Sequence, residues 1–169
     1  GYAAWQSYLS QMSAPAAWSS STGSSSVVIA IIDTGVDGTH EDLASKMVAG
    51  WNVRTNTSDT SDVYGHGTQV AGTAAAATNN GKGAAGVCWQ CLIMPIRISD
   101  AKGNASYSDM ANGISWAASH GARVANLSYE GSASSTVAQA AQTFVNAGGV
   151  LTMAAGNEGI FLSTADVSS

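Results

Sequence analysis

Positive charge is scarce in this chain. Lys and Arg number six, at positions 46, 54, 82, 97, 102 and 123, and against 11 Asp and Glu they leave a formal net charge of −5. Binding a phosphate backbone needs a clustered basic face, so a nucleic-acid partner is excluded. No apolar run approaches the roughly 20 residues that span a bilayer, so no membrane partner is expected. The start, Gly1-Tyr2-Ala3-Ala4-Trp5, lacks a basic stretch followed by an apolar one. No signal peptide is therefore expected, which fits a mature secreted protein or a cytosolic one. Cysteine is almost absent as well. Cys88 and Cys91 form a single C-x-x-C pair, and a zinc site would need two further Cys or His ligands, whereas His40, His66 and His120 are scattered. A thioredoxin-like pair would open a helix after a strand, but this one leads into a strand. A local disulfide in an exported protein is expected, with reduced thiols as the alternative.

What is present suits one soluble domain. Hydrophobic residues make up 45% and aromatics 7% of 169 residues, enough for a single sizeable core over 1–169. Residues 27–32 are a continuous β-branched run of the kind buried in a parallel sheet. Segments 92–98, 123–127 and 150–155 read as three more strands, with Pro95 the one feature against the first of them. Between them, 68–78, 107–120 and 136–146 read as helices, the second capped by Gly121 and the third stopped by Gly148-Gly149. Strand and helix thus alternate with short connections. This pattern predicts an α/β fold in three layers, a mostly parallel sheet with helices on both faces. In such sheets chemistry collects beyond the carboxyl ends of the strands.

Three polar residues fall there. Asp33 ends the first strand in Ile31-Ile32-Asp33-Thr34-Gly35. His66 opens a helix in Gly65-His66-Gly67-Thr68-Gln69-Val70-Ala71-Gly72-Thr73, and Asn157 follows the fourth strand in Ala155-Gly156-Asn157. Singly, each is an ordinary cap, turn former or structural histidine. Taken together with Asn126-Leu127-Ser128, these blocks resemble the signature blocks of the subtilisin family of serine proteases, and the likeness runs over nearly the whole chain to Gly159. The resemblance implies a serine endopeptidase. Asp33 would orient and support His66, His66 would serve as general base and then general acid, and Asn157 would donate to the oxyanion. It also implies a groove that pairs a polypeptide substrate on both edges. Gly103, Asn104 and Ala105 would form one edge, with Tyr107 near a distal pocket; Ser128, Tyr129, Glu130 and Gly131 would form the other. Glu130 replaces the family's usual glycine, and with Glu158 it would favour Lys or Arg beside large apolar residues at the cleaved position. Asp42 and Asn80 resemble ligands of a structural Ca2+, with Gln6 the nearest counterpart of a third, while Gln69 stands where the family has a second histidine.

One block has no counterpart. The family's nucleophile lies in Gly-Thr-Ser-x-Ala, and neither that block nor a Gly-x-Ser-x-Gly elbow occurs here. The expectation is the N-terminal part of a secreted protease, nicked or truncated, whose complementary C-terminal fragment carries the serine. Without its last strands the sheet would be left with an unpaired edge. Two rivals remain: a peptide-binding fragment that does not cut, and an aspartic-type protease read from Asp33-Thr34-Gly35.

Overall fold

The computed structural model describes residues 5–157 and 159. Its centre is a five-stranded parallel sheet in the order β2-β3-β1-β4-β5. The strands are β1 (Val28–Asp33), β2 (Trp51–Asn52), β3 (Leu92–Arg97), β4 (Val124–Leu127) and β5 (Val150–Met153). The helices are α1 (Ser7–Gln11), α2 (Ala14–Trp18), α3 (His66–Ala75), α4 (Tyr107–Ser119) and α5 (Ser135–Asn146). The chain builds outward on one side of β1, to β2 and β3, then crosses to β4 and β5 on the other. Strand order therefore reverses beside β1, and Asp33 ends the strand where such folds form their crevice.

Side chains of a strand alternate between faces, and here each face carries its own core. Ile29 and Ile31 of β1, with Ile93 of β3, pack with Val36, Leu43, Ala71 and Ala75 under α3. Ala30 and Ile32, with Met94 and Ile96, pack with Met110, Ile114, Val137 and Phe144 under α4 and α5. Ala30, Ile31 and Ile32 are all fully buried, which is why β1 reads as an unbroken apolar run rather than an alternating one. Helices thus cover both faces, as expected from the sequence.

Pro95 sits inside β3 without breaking it. The even-numbered neighbour Leu92 donates its amide toward the β1 side, to Val27, whereas the carbonyls of Ile93 and Arg97 accept from Val48 and Val53 on the other side. Pro95 shares the odd parity, so its missing amide faces β2, which is only two residues long. Gly50 lies against its ring, where a Cβ would come within 2.6 Å of Pro95 Cγ. The third helix is displaced from the sequence expectation of 68–78: α3 begins at His66 and ends at Ala75. Helices α1 and α2 and strand β2 were not anticipated, since five-residue and two-residue elements carry too little periodicity to be read.

Cys88 and Cys91 are joined as a disulfide, with Cα atoms 5.4 Å apart. Gly23 is pressed against it, and Trp18 packs on Trp89 with ring centroids 4.9 Å apart and planes tilted by 55°. The bridge thus seats the N-terminal segment on the α3–β3 connection. At the far edge, β5 is half exposed along its length and Val150 is 59% exposed. No described helix is long and apolar enough to cross a membrane.

Candidate active site

Asp33 is fully buried at the carboxyl end of β1, held by the Thr34 amide, which donates to its Oδ1 at 2.7 Å. The same oxygen lies 2.8 Å from Nδ1 of His66, the first residue of α3. The His66 side chain is 46% exposed, so one ring nitrogen is occupied by the buried acid while the imidazole faces open space. This close approach depends on Gly67. A Cβ there would come 2.1 Å from the Gly35 carbonyl and 3.0 Å from Asp33 Cβ. Any larger residue would push α3, and His66 with it, off the end of β1.

A residue that the sequence reading passed over fixes the start of α3. Asp62 Oδ1 accepts from Thr34 Oγ1 at 2.7 Å, from the Gly65 amide at 2.8 Å and from the Tyr64 amide at 3.1 Å. Its Oδ2 accepts from the Thr68 amide at 2.8 Å and from the Thr68 hydroxyl. Thr34 Oγ1 in turn accepts from the Gly67 amide at 2.9 Å, so Asp62, Thr34 and α3 form one hydrogen-bonded unit around the dyad. Burial raises the Asp62 pKa, but the hydrogen bonds from Thr68, Gly65, Thr34 and Tyr64 outweigh it and bring the value down to about 2. The signal was legible in principle: an Asp four residues ahead of a helix-opening His is a natural ligand for the unpaired amides of that helix.

Parallel pairing brings the other expected residues to the same edge of the sheet. Ser128 follows β4, its hydroxyl accepting from Asn126 Nδ2 at 2.8 Å, and Asn126 Oδ1 accepts from Thr152 Oγ1 of β5 at 2.9 Å. Asn157 follows β5, after Gly156 at φ +101°, and is exposed. Gly103, Asn104 and Ala105 lie in the connection from β3 to α4, and Tyr107, 49% exposed, opens α4. Tyr129 bridges to Gly103, Glu130 is exposed, and Gly131 is buried against Val137 and Met153. Glu158 lies outside the described residues. Two cavities flank the imidazole. The smaller, about 170 Å³, is lined by Thr34, Tyr64, His66, Gly103, Ser128 and Tyr129. The larger, about 540 Å³, runs along α3 and β4 past His66, Val70, Thr73, Asn126 and Ser128.

Asp42 and Asn80 also meet. Asp42 is 3% exposed; its Oδ1 accepts from Asn80 Nδ2 at 2.8 Å and its Oδ2 from the Ala84 amide at 3.0 Å. Gln6, buried, clasps the same loop through the Ala85 amide and carbonyl at 2.9 and 2.8 Å. Among the described residues no group of three or more His, Cys, Asp or Glu could hold a metal ion. A carboxylate and amide oxygens suit a hard cation in kind, but here both Asp42 oxygens accept N–H groups and Asn80 turns its nitrogen toward Asp42, so these atoms are not arranged as an oxygen cage.

The arrangement defines a class: a parallel three-layer α/β domain with an aspartate–histidine dyad at the carboxyl edge of its sheet. Residues 24–169 match the Subtilase family, and the chain belongs to that family of serine peptidases. It is 43% identical over 150 residues to thermitase of Thermoactinomyces vulgaris, covering 88% of this chain and 53% of that protein. It is 39% identical over 160 residues to subtilisin of Bacillus pumilus, covering 94% of this chain and 58% of that one. Among solved structures, a cold-adapted subtilisin-like serine proteinase superposes with a TM-score of 0.70 at 32% identity, over 79% of this chain and 48% of that chain. The chain thus spans only about half the length of these relatives. The aspartic-protease reading does not survive: the sheet is parallel α/β, and Asp33 pairs with a histidine instead of a second aspartate.

Proposed function

We propose that this chain supplies the acid–base and oxyanion-binding half of a secreted serine endopeptidase whose nucleophilic serine lies outside it. The observation that carries the reading is the 2.8 Å contact between buried Asp33 and half-exposed His66. Asp33 holds Nδ1, which leaves Nε2 to take the proton from a serine hydroxyl as that oxygen bonds to the scissile carbonyl carbon. The carbonyl oxygen becomes an oxyanion, and Asn157 donates to it. His66 then passes the proton to the departing amine, and a water repeats the sequence to release the acyl group. Asp33 supports the imidazolium between the two transfers. The substrate is an extended polypeptide. Residues 103–105 and 128–131 would add to it as flanking strands, with Tyr107 at the distal end.

Secretion is supported by the disulfide, which persists in oxidising compartments. A structural Ca2+ would be held by Asp42, Asn80 and carbonyls of the 78–85 loop, and would tie that loop to the N-terminal segment that Gln6 anchors. The fragment carrying the serine would fill the open space beside His66 and cover β5.

The test is a fluorophosphonate serine probe on the native protein, followed by denaturing intact-mass analysis. A second, labelled polypeptide, with labelling lost in His66→Ala, is the expected result. Peptide binding without labelling or cleavage in any preparation would overturn the protease reading in favour of a peptide-binding module.

A further inference from the structure

The dipeptide Asn-Gly occurs twice in this chain, at 80–81 and at 112–113, and the fold treats the two copies differently. Asn112 and Gly113 lie in the middle of α4, where helical amides are bonded four residues back. Gly113 is buried there, and a Cβ on it would come 2.9 Å from Ile32 Cγ2. Asn80 and Gly81 are instead exposed in the 78–85 loop, and Gly81, at φ +75°, has nothing within 4 Å of where a Cβ would stand. The Lys82 amide donates to Asn80 Oδ1 at 3.0 Å, which curls the side chain back over the Gly81 peptide. That donor also rests on the oxygen where negative charge gathers if the Gly81 nitrogen adds to Asn80 Cγ. Asn80 Nδ2 meanwhile donates to Asp42 Oδ1 at 2.8 Å, fastening the loop to a carboxylate that is 3% exposed. Gly83 presses on the same carboxylate, and Lys82 is already paired with Glu41 at 3.0 Å.

We propose that Asn80–Gly81 is a site of spontaneous deamidation, and that the carboxylate it creates beside Asp42 releases the 78–85 loop from its anchor. The Gly81 nitrogen bonds to Asn80 Cγ as the Cγ–Nδ2 bond breaks, and the Gly81 amide proton leaves with Nδ2 as ammonia. Glycine permits this step because it has no side chain to hinder the approach. Water then opens the cyclic imide at either carbonyl, giving aspartate or isoaspartate, so one water is consumed and one ammonia released. An N–H donor to Asp42 is thereby replaced by an anion, and two carboxylates sharing a site repel. The loop also holds the N-terminal segment, through the two bonds between Gln6 and Ala85. A cavity of about 520 Å³, lined by Gln6, Leu9, Trp18, Asn80 and Ala84, lies between loop and segment. Losing the Asp42 anchor therefore loosens both. Nothing in this chemistry depends on the protease reading.

The test incubates the full chain in mildly alkaline buffer with a chelator, because the Ca2+ considered above would draw on the same side chains. Intact mass should rise by about 1 Da as ammonia is released. Peptide mapping should place the change at Asn80 roughly tenfold more often than at Asn112, whose neighbouring amide the helix protects. Asn80→Gln, whose longer side chain closes the ring far less readily, should lose the mass gain at this position. Asn80→Asp installs the product directly, and its Tm at neutral pH should fall by about 2–4 °C. Amide hydrogen exchange over residues 78–85 should accelerate in that variant, and in the aged wild-type chain melted and exchanged beside it. No change at Asn80, or as much change at Asn112, overturns the site. A Tm and an exchange rate that stay the same in both Asn80→Asp and the aged chain overturn the release of the loop.

Discussion

Tyr129 and Glu130 are adjacent in sequence but differ in surroundings. The tyrosine hydroxyl is committed to Gly103 across the cleft, while Glu130 is exposed at its rim. An exposed carboxylate at the wall of the proposed groove would attract a cationic side chain through a solvent-screened contact, worth a few tenths to about 1 kcal/mol. We therefore expect Glu130→Gly to lower kcat/KM for peptides with Lys at the cleaved position by roughly threefold, leaving those with Phe less affected. The ratio of the two rates in wild type and variant is the measurement, and an unchanged ratio removes Glu130 from substrate selection. At this scale Asp33 and His66 were readable because their neighbours form blocks. Asp62 was passed over although four of its five hydrogen bonds come from residues two to six positions away; only the bond from Thr34 reaches it from a distant segment.

The elements owe their placement to such convergences. Helix α3 has no side-chain cap at Gly65, and Asp62 serves instead by accepting from the amides of Gly65 and Thr68. Its carboxyl sits at about 2 when folded, below its ordinary 3.8, so folding favours the ionised form. The resulting stability is fully present above about pH 4 and is lost as pH falls through about 2. Allowing for partial solvent access, it is worth about 1 kcal/mol. Asp62→Asn should lower Tm at pH 7 by about 2–4 °C, and the gap between wild type and variant should close as the pH is taken down to 2. Thermal melts across that range check it, and a gap that persists at pH 2 would contradict the account. The long elements were legible from periodicity and turn residues. Strand β2 was not, because a two-residue strand is decided by partners far away in sequence.

Across the whole molecule, the N-terminal segment, the 78–85 loop and the disulfide loop are docked on one side of α3, remote from the open edge at β5. Ca2+ held by Asp42 and Asn80 would stiffen that docked side. At a Ca2+ concentration 100-fold above Kd, the gain would be about 2.7 kcal/mol. Tm should therefore rise with added Ca2+ and fall with a chelator, and Asp42→Asn should abolish the difference. A wild-type Tm indifferent to both would exclude the site. The half-exposed β5 and the roughly 540 Å³ space beside His66 belong to the same scale.

The sequence by itself determined the alternation of strands and helices, the two-sided burial of β1 and the identity of the dyad. Apolar period, β-branching and glycine placement are local properties, and the blocks around Asp33 and His66 are written in consecutive residues. It also determined that no Gly-Thr-Ser-x-Ala block is present. Only the tertiary structure decided that Asp33 and His66 touch, that Asp62 meets Thr34, that Gln6 reaches the 78–85 loop and that Tyr129 reaches Gly103. These are contacts between residues 26 to 79 positions apart. They form because parallel pairing brings every strand's carboxyl end to one edge, and a one-dimensional pattern carries no record of which loops meet there.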